Sequence, residues 1–147
     1  MIYHPVEALL DQIPGCHISR VFVGISGLDI QFSREINEGS GVGKNPFGLW
    51  IQCNVRIGVG HSEVMRTTYP LANDEPMFIK LLLERRVKHV RFNPKGCSIR
   101  IRFDDDAYLS IVPSCRIEEN PWVIFGRMVD REVNCVVFSD YYSGEWR

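Results

Sequence analysis

The periodicity of this chain changes twice, each time in the same order. A short apolar helix pattern gives way to segments that alternate apolar and polar residues, a break follows, and the order begins again. Residues 5–13, PVEALLDQI, read as a helix with Pro5 in the favoured first turn and Pro14-Gly15 ending it. HISRVFVG, a turn at Ile25-Ser26-Gly27 and LDIQFS then form a β-hairpin, with Leu28, Ile30 and Phe32 on one face and Asp29, Gln31 and Ser33 on the other. A Gly-rich loop over residues 36–48 leads into LWIQCNVRI, a single alternating strand with Leu49, Ile51, Cys53, Val55 and Ile57 on one face. HSEVMRTTYPL returns as a further strand before Asn73-Asp74 break the pattern.

From Asp74 the order recurs. DEPMFIKLLLERR has an acidic first turn, an early Pro76 and basic residues late, an arrangement that suits the helix dipole. VKHVRF, a turn at residues 93–96 and CSIRIRF make a second hairpin. The stretch Leu49–Ile57 aligns without a gap on Leu109–Ile117. Ile18-Ser19-Arg20-Val21 aligns on Val87-Lys88-His89-Val90, and residues 28–32 on residues 99–103. PWVIFGRMV and EVNCVVFSDYY, flanking a turn near Asp130-Arg131, add strands at the end, with Trp146 packed on a sheet edge. The expected fold is α+β and predominantly antiparallel β, with two short helices. Two pseudo-repeated helix–meander halves, about 5–72 and 74–147, would pack as one domain over 1–147, because a half of this size holds too little core alone.

Composition excludes several classes. With 147 residues, 45% of them hydrophobic, the chain can bury a real core and is not disordered. No apolar run is long enough to span a bilayer, and the N-terminus lacks the pattern of an export signal, so a cytoplasmic location away from membranes is expected. Five cysteines without a C-x-x-C pair read as reduced, buried thiols rather than a disulfide framework or zinc site. Cys16 and His17 are neighbours on a strand and point to opposite faces, so they do not make a nucleophile–base pair. Gly39-Ser40-Gly41-Val42-Gly43-Lys44 is one residue short of a phosphate loop, and Asn45 stands where the metal-binding hydroxyl would be. The four histidines have no ligand spacing, and no nucleophile elbow occurs. Neither an enzyme nor a cofactor or metal site is expected.

Charge carries more information. The net charge of −1 conceals a basic segment, residues 84–102, in which seven Lys and Arg face Glu84 alone, and an acidic one, residues 103–147, with nine acids against four bases. Alternation sets His89 and Arg91 on the polar face of one strand and Arg100 and Arg102 on that of its hairpin partner. These residues are the candidate surface for nucleic acid. Asp104, Asp105, Asp106, Glu118 and Glu119 are the candidate acidic surface. Trp50, Tyr108, Trp122, Tyr141 and Tyr142 are candidate aromatic anchors for a partner.

Phe103-Asp104-Asp105-Asp106, Leu109-Ser110-Ile111-Val112-Pro113 and Glu118-Glu119-Asn120-Pro121-Trp122 together resemble a family of small bacterial proteins with two helix-plus-meander halves and no assigned function. That family is similar to the cytosolic proteins found beside bacterial toxins. With the segregated charges, the aromatic candidates and the absence of catalytic motifs, this resemblance leads to the expectation of an immunity or antitoxin protein that occludes a cognate toxin stoichiometrically; the acidic surface would steer and hold a basic nuclease. A nucleic-acid-binding module using the hairpin 85–102 is the alternative. A homodimer through an open sheet edge is compatible with either.

Overall fold

The computed structural model describes residues 5–25, 27–34, 47–67, 70–93, 96–113, 122–128, 131–137 and 142–146. Helix α1 (Pro5–Leu10) is followed by β1 (His17–Val23), β2 (Leu28–Ser33), β3 (Gly48–Ile51), β4 (Asn54–Val59) and β5 (Ser62–Thr67). A 3₁₀ turn over Ala72–Asp74 opens α2 (Glu75–Leu82). Strands β6 (Val87–Asn93), β7 (Ser98–Phe103), β8 (Ala107–Val112), β9 (Trp122–Met128), β10 (Arg131–Val137) and β11 (Tyr142–Trp146) complete the chain. The strands form two antiparallel sheets, A in the order β1-β2-β3-β9-β10-β11 and B in the order β5-β4-β8-β7-β6. The fold is α+β, mostly antiparallel β with two short helices among the described residues.

The alternation read from the sequence works as a burial code. In β2 every second residue (Leu28, Ile30, Phe32) is buried, and β7 and β8 do the same with Ile99, Ile101, Phe103, Ala107, Leu109 and Ile111. These faces, Val6, Leu9 and Ile13 of the α1 region, and Phe78 and Leu82 of α2 join one contiguous apolar core. Each large side chain removed from water there contributes roughly 1.5–3 kcal/mol.

The expected single strand over 49–57 is not continuous. It breaks at Gln52-Cys53, so β3 pairs with β2 and β9 in sheet A while β4 pairs with β5 and β8 in sheet B. Leu49, Ile51, Cys53, Val55 and Ile57 are nevertheless all buried. A chain that crosses from one sheet to the other around a shared core keeps the same side inward, so the alternation passes through the break unchanged. Both helices are also shorter than the sequence pattern: α1 ends at Leu10, and α2 ends at Leu82, just before Glu84 turns into the left-handed region at φ 68°.

The two hairpins share one irregularity. A β-bulge falls between Ile18 and Arg20 opposite β2, and another between Val87 and His89 opposite β7. A bulge sends two successive residues to the same side. Ser19 and Arg20 are accordingly both exposed, as are Lys88 and His89. The sheets meet where these strands begin: Ile18 N–H donates to Arg85 O and Val87 N–H to Cys16 O, while Gly15 N–H donates to Val87 O and Glu84 N–H to Ile18 O. Each pair of bonds maps onto itself when the halves are exchanged at an offset of 69 residues, which carries Gly15 to Glu84 and Ile18 to Val87. Gly15 and Glu84 also share a positive φ. The strand orders obey the same exchange, β1-β2-β3 meeting β9-β10 as β6-β7-β8 meets β4-β5.

Candidate functional site: the outer face of sheet B

The exposed face of sheet B is assembled by register. Arg91 of β6 lies opposite Arg100 of β7, Arg100 opposite Ser110 of β8, Ser110 opposite Arg56 of β4, and Arg56 opposite Arg66 of β5. Four arginines thus stand in a row across five strands, with Ser110 at the centre. At about 4.8 Å between strands the row is roughly 19 Å long. A second row runs beside it: His89 opposite Arg102, Arg102 opposite Tyr108, Tyr108 opposite Gly58, and Gly58 opposite Glu63. The bulge in β6 adds Lys88 on the same side. Lys88, His89, Arg91, Arg100 and Arg102 line an open groove of about 590 Å³, together with Asp104 and Asp106.

Tyr108 fixes the middle of this face. A Cβ placed on Gly58 would come within 2.5 Å of the Tyr108 ring and its hydroxyl oxygen, so the ring lies in the space that only glycine leaves. The Arg100 guanidinium sits over the ring, its carbon 4.2 Å from the centroid. A cation over an aromatic face gains about 0.5–2 kcal/mol. Gly58, Tyr108 and Arg100 therefore form a stack that holds one guanidinium in place.

Carboxylates flank the face without covering it. Glu63 approaches Arg66 at 3.1 Å and Arg56 at 3.8 Å. Asp106 lies 3.9 Å from Arg102, and Asp105 pairs with Arg85. Among the described residues, neither Arg91 nor Arg100 has a carboxylate within ion-pair distance. Like charges directly opposite each other on neighbouring strands cost stability.

Of the acidic surface expected from the sequence, the described residues hold Asp104, Asp105 and Asp106, which form the turn between β7 and β8. Asp105 and Asp106 are turned toward basic side chains, and Asp104–Asp106 border the basic groove; Glu118 and Glu119 lie outside the described residues. The aromatic candidates disperse. Trp50 is half-buried on sheet A, opposite Asp29 and Val123, away from the arginine row. Trp122 is a correction: its side chain is completely buried, its ring sits edge-on to Phe92 at 5.9 Å, and its indole N–H donates to the carbonyl of Cys97 at 2.8 Å. It holds the two sheets together and offers nothing to a partner. Tyr142 is the first residue of the sheet A edge strand β11, and Tyr141 lies outside the described residues.

Arg56, Arg66 and Gly58 were absent from the sequence candidates. Arg56 and Arg66 sit on the polar phase of alternating strands, which was legible; that β4 and β5 extend the sheet holding β6 and β7 was not. Among the described residues, no group of three His, Cys, Asp or Glu side chains is placed to hold a metal ion, and no helix is long and apolar enough to cross a membrane. No protein-family model, curated protein or solved structure matches the chain.

Proposed function

We propose that the chain is a stoichiometric binding protein rather than a catalyst, of the bacterial, cytoplasmic immunity or antitoxin kind that the sequence resemblance implies, and that its partner docks on the outer face of sheet B. One observation carries the choice of face. Under the exchange of halves, Arg91 corresponds to Phe22, Arg100 to Asp29 and Ser110 to Trp50, so the corresponding face of sheet A has no arginine row. The architecture can be built without stacking like charges there. Charge that opposes stability and is not required by the fold is best accounted for by a ligand. Arginine and tyrosine are also among the residues that dominate interface energetics. The shared bulge and the common offset support reading the chain as an internal repeat, one copy of which has turned its exposed face to recognition.

The test is protection. Co-expressed with the toxin encoded beside its gene, the protein should restore growth and form a 1:1 complex by size-exclusion mass. The Arg91→Glu, Arg100→Glu double variant should fold and fail to protect. Protection by that variant would move the interface elsewhere; absence of any complex with the unaltered protein would end the immunity reading.

A further inference from the structure

We infer that the ligand of this face is an acidic protein surface presenting a row of Asp or Glu carboxylates about 19 Å long, and that Arg56 and Arg66 bind it together with Arg91 and Arg100. The inference rests on the outer face of sheet B being the working surface and goes further by assigning the chemistry of the partner. Two features of the face favour carboxylates on a protein over a nucleic-acid strand. A single strand laid across a sheet gains affinity by stacking bases on exposed rings. Here Tyr108, in the row beside the arginines, has Gly58 against its ring and the Arg100 guanidinium over it, so that stack is already occupied. A fixed negative charge also stands beside the row, since Glu63 contacts both Arg66 and Arg56. A polyphosphate meets Glu63 with repulsion alone, whereas a protein can set a lysine against it between its own carboxylates.

Arg100 is the anchor of the site. Its guanidinium is held over the Tyr108 ring, while the side chain has no carboxylate of its own among the described residues. A pre-oriented guanidinium presents paired donors in the planar geometry that matches a carboxylate. Ser110, between Arg100 and Arg56, separates two pairs of arginines, so the complementary surface has two pairs of carboxylates with a short gap between them.

The test uses the full-length protein and three fluorescent probes at 150 mM salt. The first is an Ala-based helical peptide with one glutamate per turn on a single face over four turns. The second has the same composition with its glutamates distributed around the helix. The third is a fifteen-nucleotide oligo-dT. The first probe should bind at least tenfold more tightly than either of the others, and Arg56→Ala and Arg66→Ala should each weaken it several-fold while leaving circular dichroism and Tm close to those of the parent. Equal binding of the two peptides, tighter binding of oligo-dT, no peptide binding, or indifference to Arg56 and Arg66 would overturn the assignment. If these probes fail while Arg91→Glu, Arg100→Glu still abolishes protection against the toxin, only the partner chemistry is wrong and the face stands.

Discussion

The indole N–H of Trp122, on β9 of sheet A, donates a 2.8 Å hydrogen bond to the main-chain carbonyl of Cys97, in the turn just before β7 of sheet B. Both residues are fully buried, so the bond crosses the core and satisfies a carbonyl that water cannot reach. Trp122→Phe retains most of the apolar volume but removes that bond, and should cost about 0.5–1.5 kcal/mol. Trp122→Ala should cost about 3–5 kcal/mol. Urea denaturation measures both; a Phe variant as stable as the parent would show that the bond contributes nothing.

Gly58→Ala should displace Tyr108, because the new methyl would stand 2.5 Å from the ring. The expected destabilisation is about 1–3 kcal/mol from overpacking. Tyr108→Ala removes the clash, so the Gly58→Ala, Tyr108→Ala double variant should lose less than the sum of the two single changes. Strict additivity would mean that the ring and the glycine are not coupled.

Stability and recognition should separate on the arginine row. Arg91→Glu sets opposite charges face to face with Arg100 on neighbouring strands, and should stabilise the fold by roughly 0.2–1 kcal/mol while weakening partner binding. Added salt should raise the Tm of the unaltered protein by screening the row, and raise that of the variant less. A lower Tm for Arg91→Glu at low salt would contradict this account.

Asp29 gives a pH dependence of known sign. It sits between Phe22 and Trp50 on sheet A; Gln31 donates to its Oδ2 at 3.3 Å, and Oδ1 has no hydrogen-bond partner among the described residues. Burial raises its pKa above the ordinary 3.8, against the opposing effects of the Gln31 hydrogen bond and the Arg20 charge. A carboxyl whose folded pKa lies above its unfolded value binds the proton more tightly in the native state. Its contribution therefore falls as pH rises from the ordinary value through the folded one. Asp29→Asn should raise Tm at pH 7, and the gain should vanish at about pH 3, where both states are protonated. A gain independent of pH would show that ionisation of Asp29 is not the cause.

Burial pushes the Cys53 thiol up to about 12, and Cys16 is raised by burial as well. Because the thiolate is the reactive form, native Cys53 should be labelled by iodoacetamide at least a hundredfold more slowly than the same cysteine in urea-unfolded chain, as read by site-resolved mass spectrometry. Comparable rates in the two states would place Cys53 at the surface.

Which side of strands such as β2, β7 and β8 is buried could be read from the residues alone. A two-residue period is a local property, and Leu28, Ile30, Phe32, Ile99, Ile101 and Phe103 went inward whatever lay beside them. It also set His89 and Arg91, and Arg100 and Arg102, on the polar faces of two hairpin partners; the register did not follow from it, because a turn over residues 93–96 would have put His89 opposite Arg100, whereas Asn93 pairs with Ser98 and brings Arg91 opposite Arg100. Tertiary structure decided everything that depends on strands distant in the chain. The apolar face of residues 49–57 has the same pattern whether it belongs to one strand or passes between two sheets, so only the packing of both sheets on one core could place the break at Gln52-Cys53. That crossing brings β4 against β8, turns a basic hairpin into a five-stranded face, and sets Arg56 and Arg66 in line with Arg91 and Arg100. Trp122 was misread for the same reason: whether a tryptophan is exposed or spans two sheets depends on what packs over it, and the Cys97 carbonyl that receives its N–H is 25 residues away.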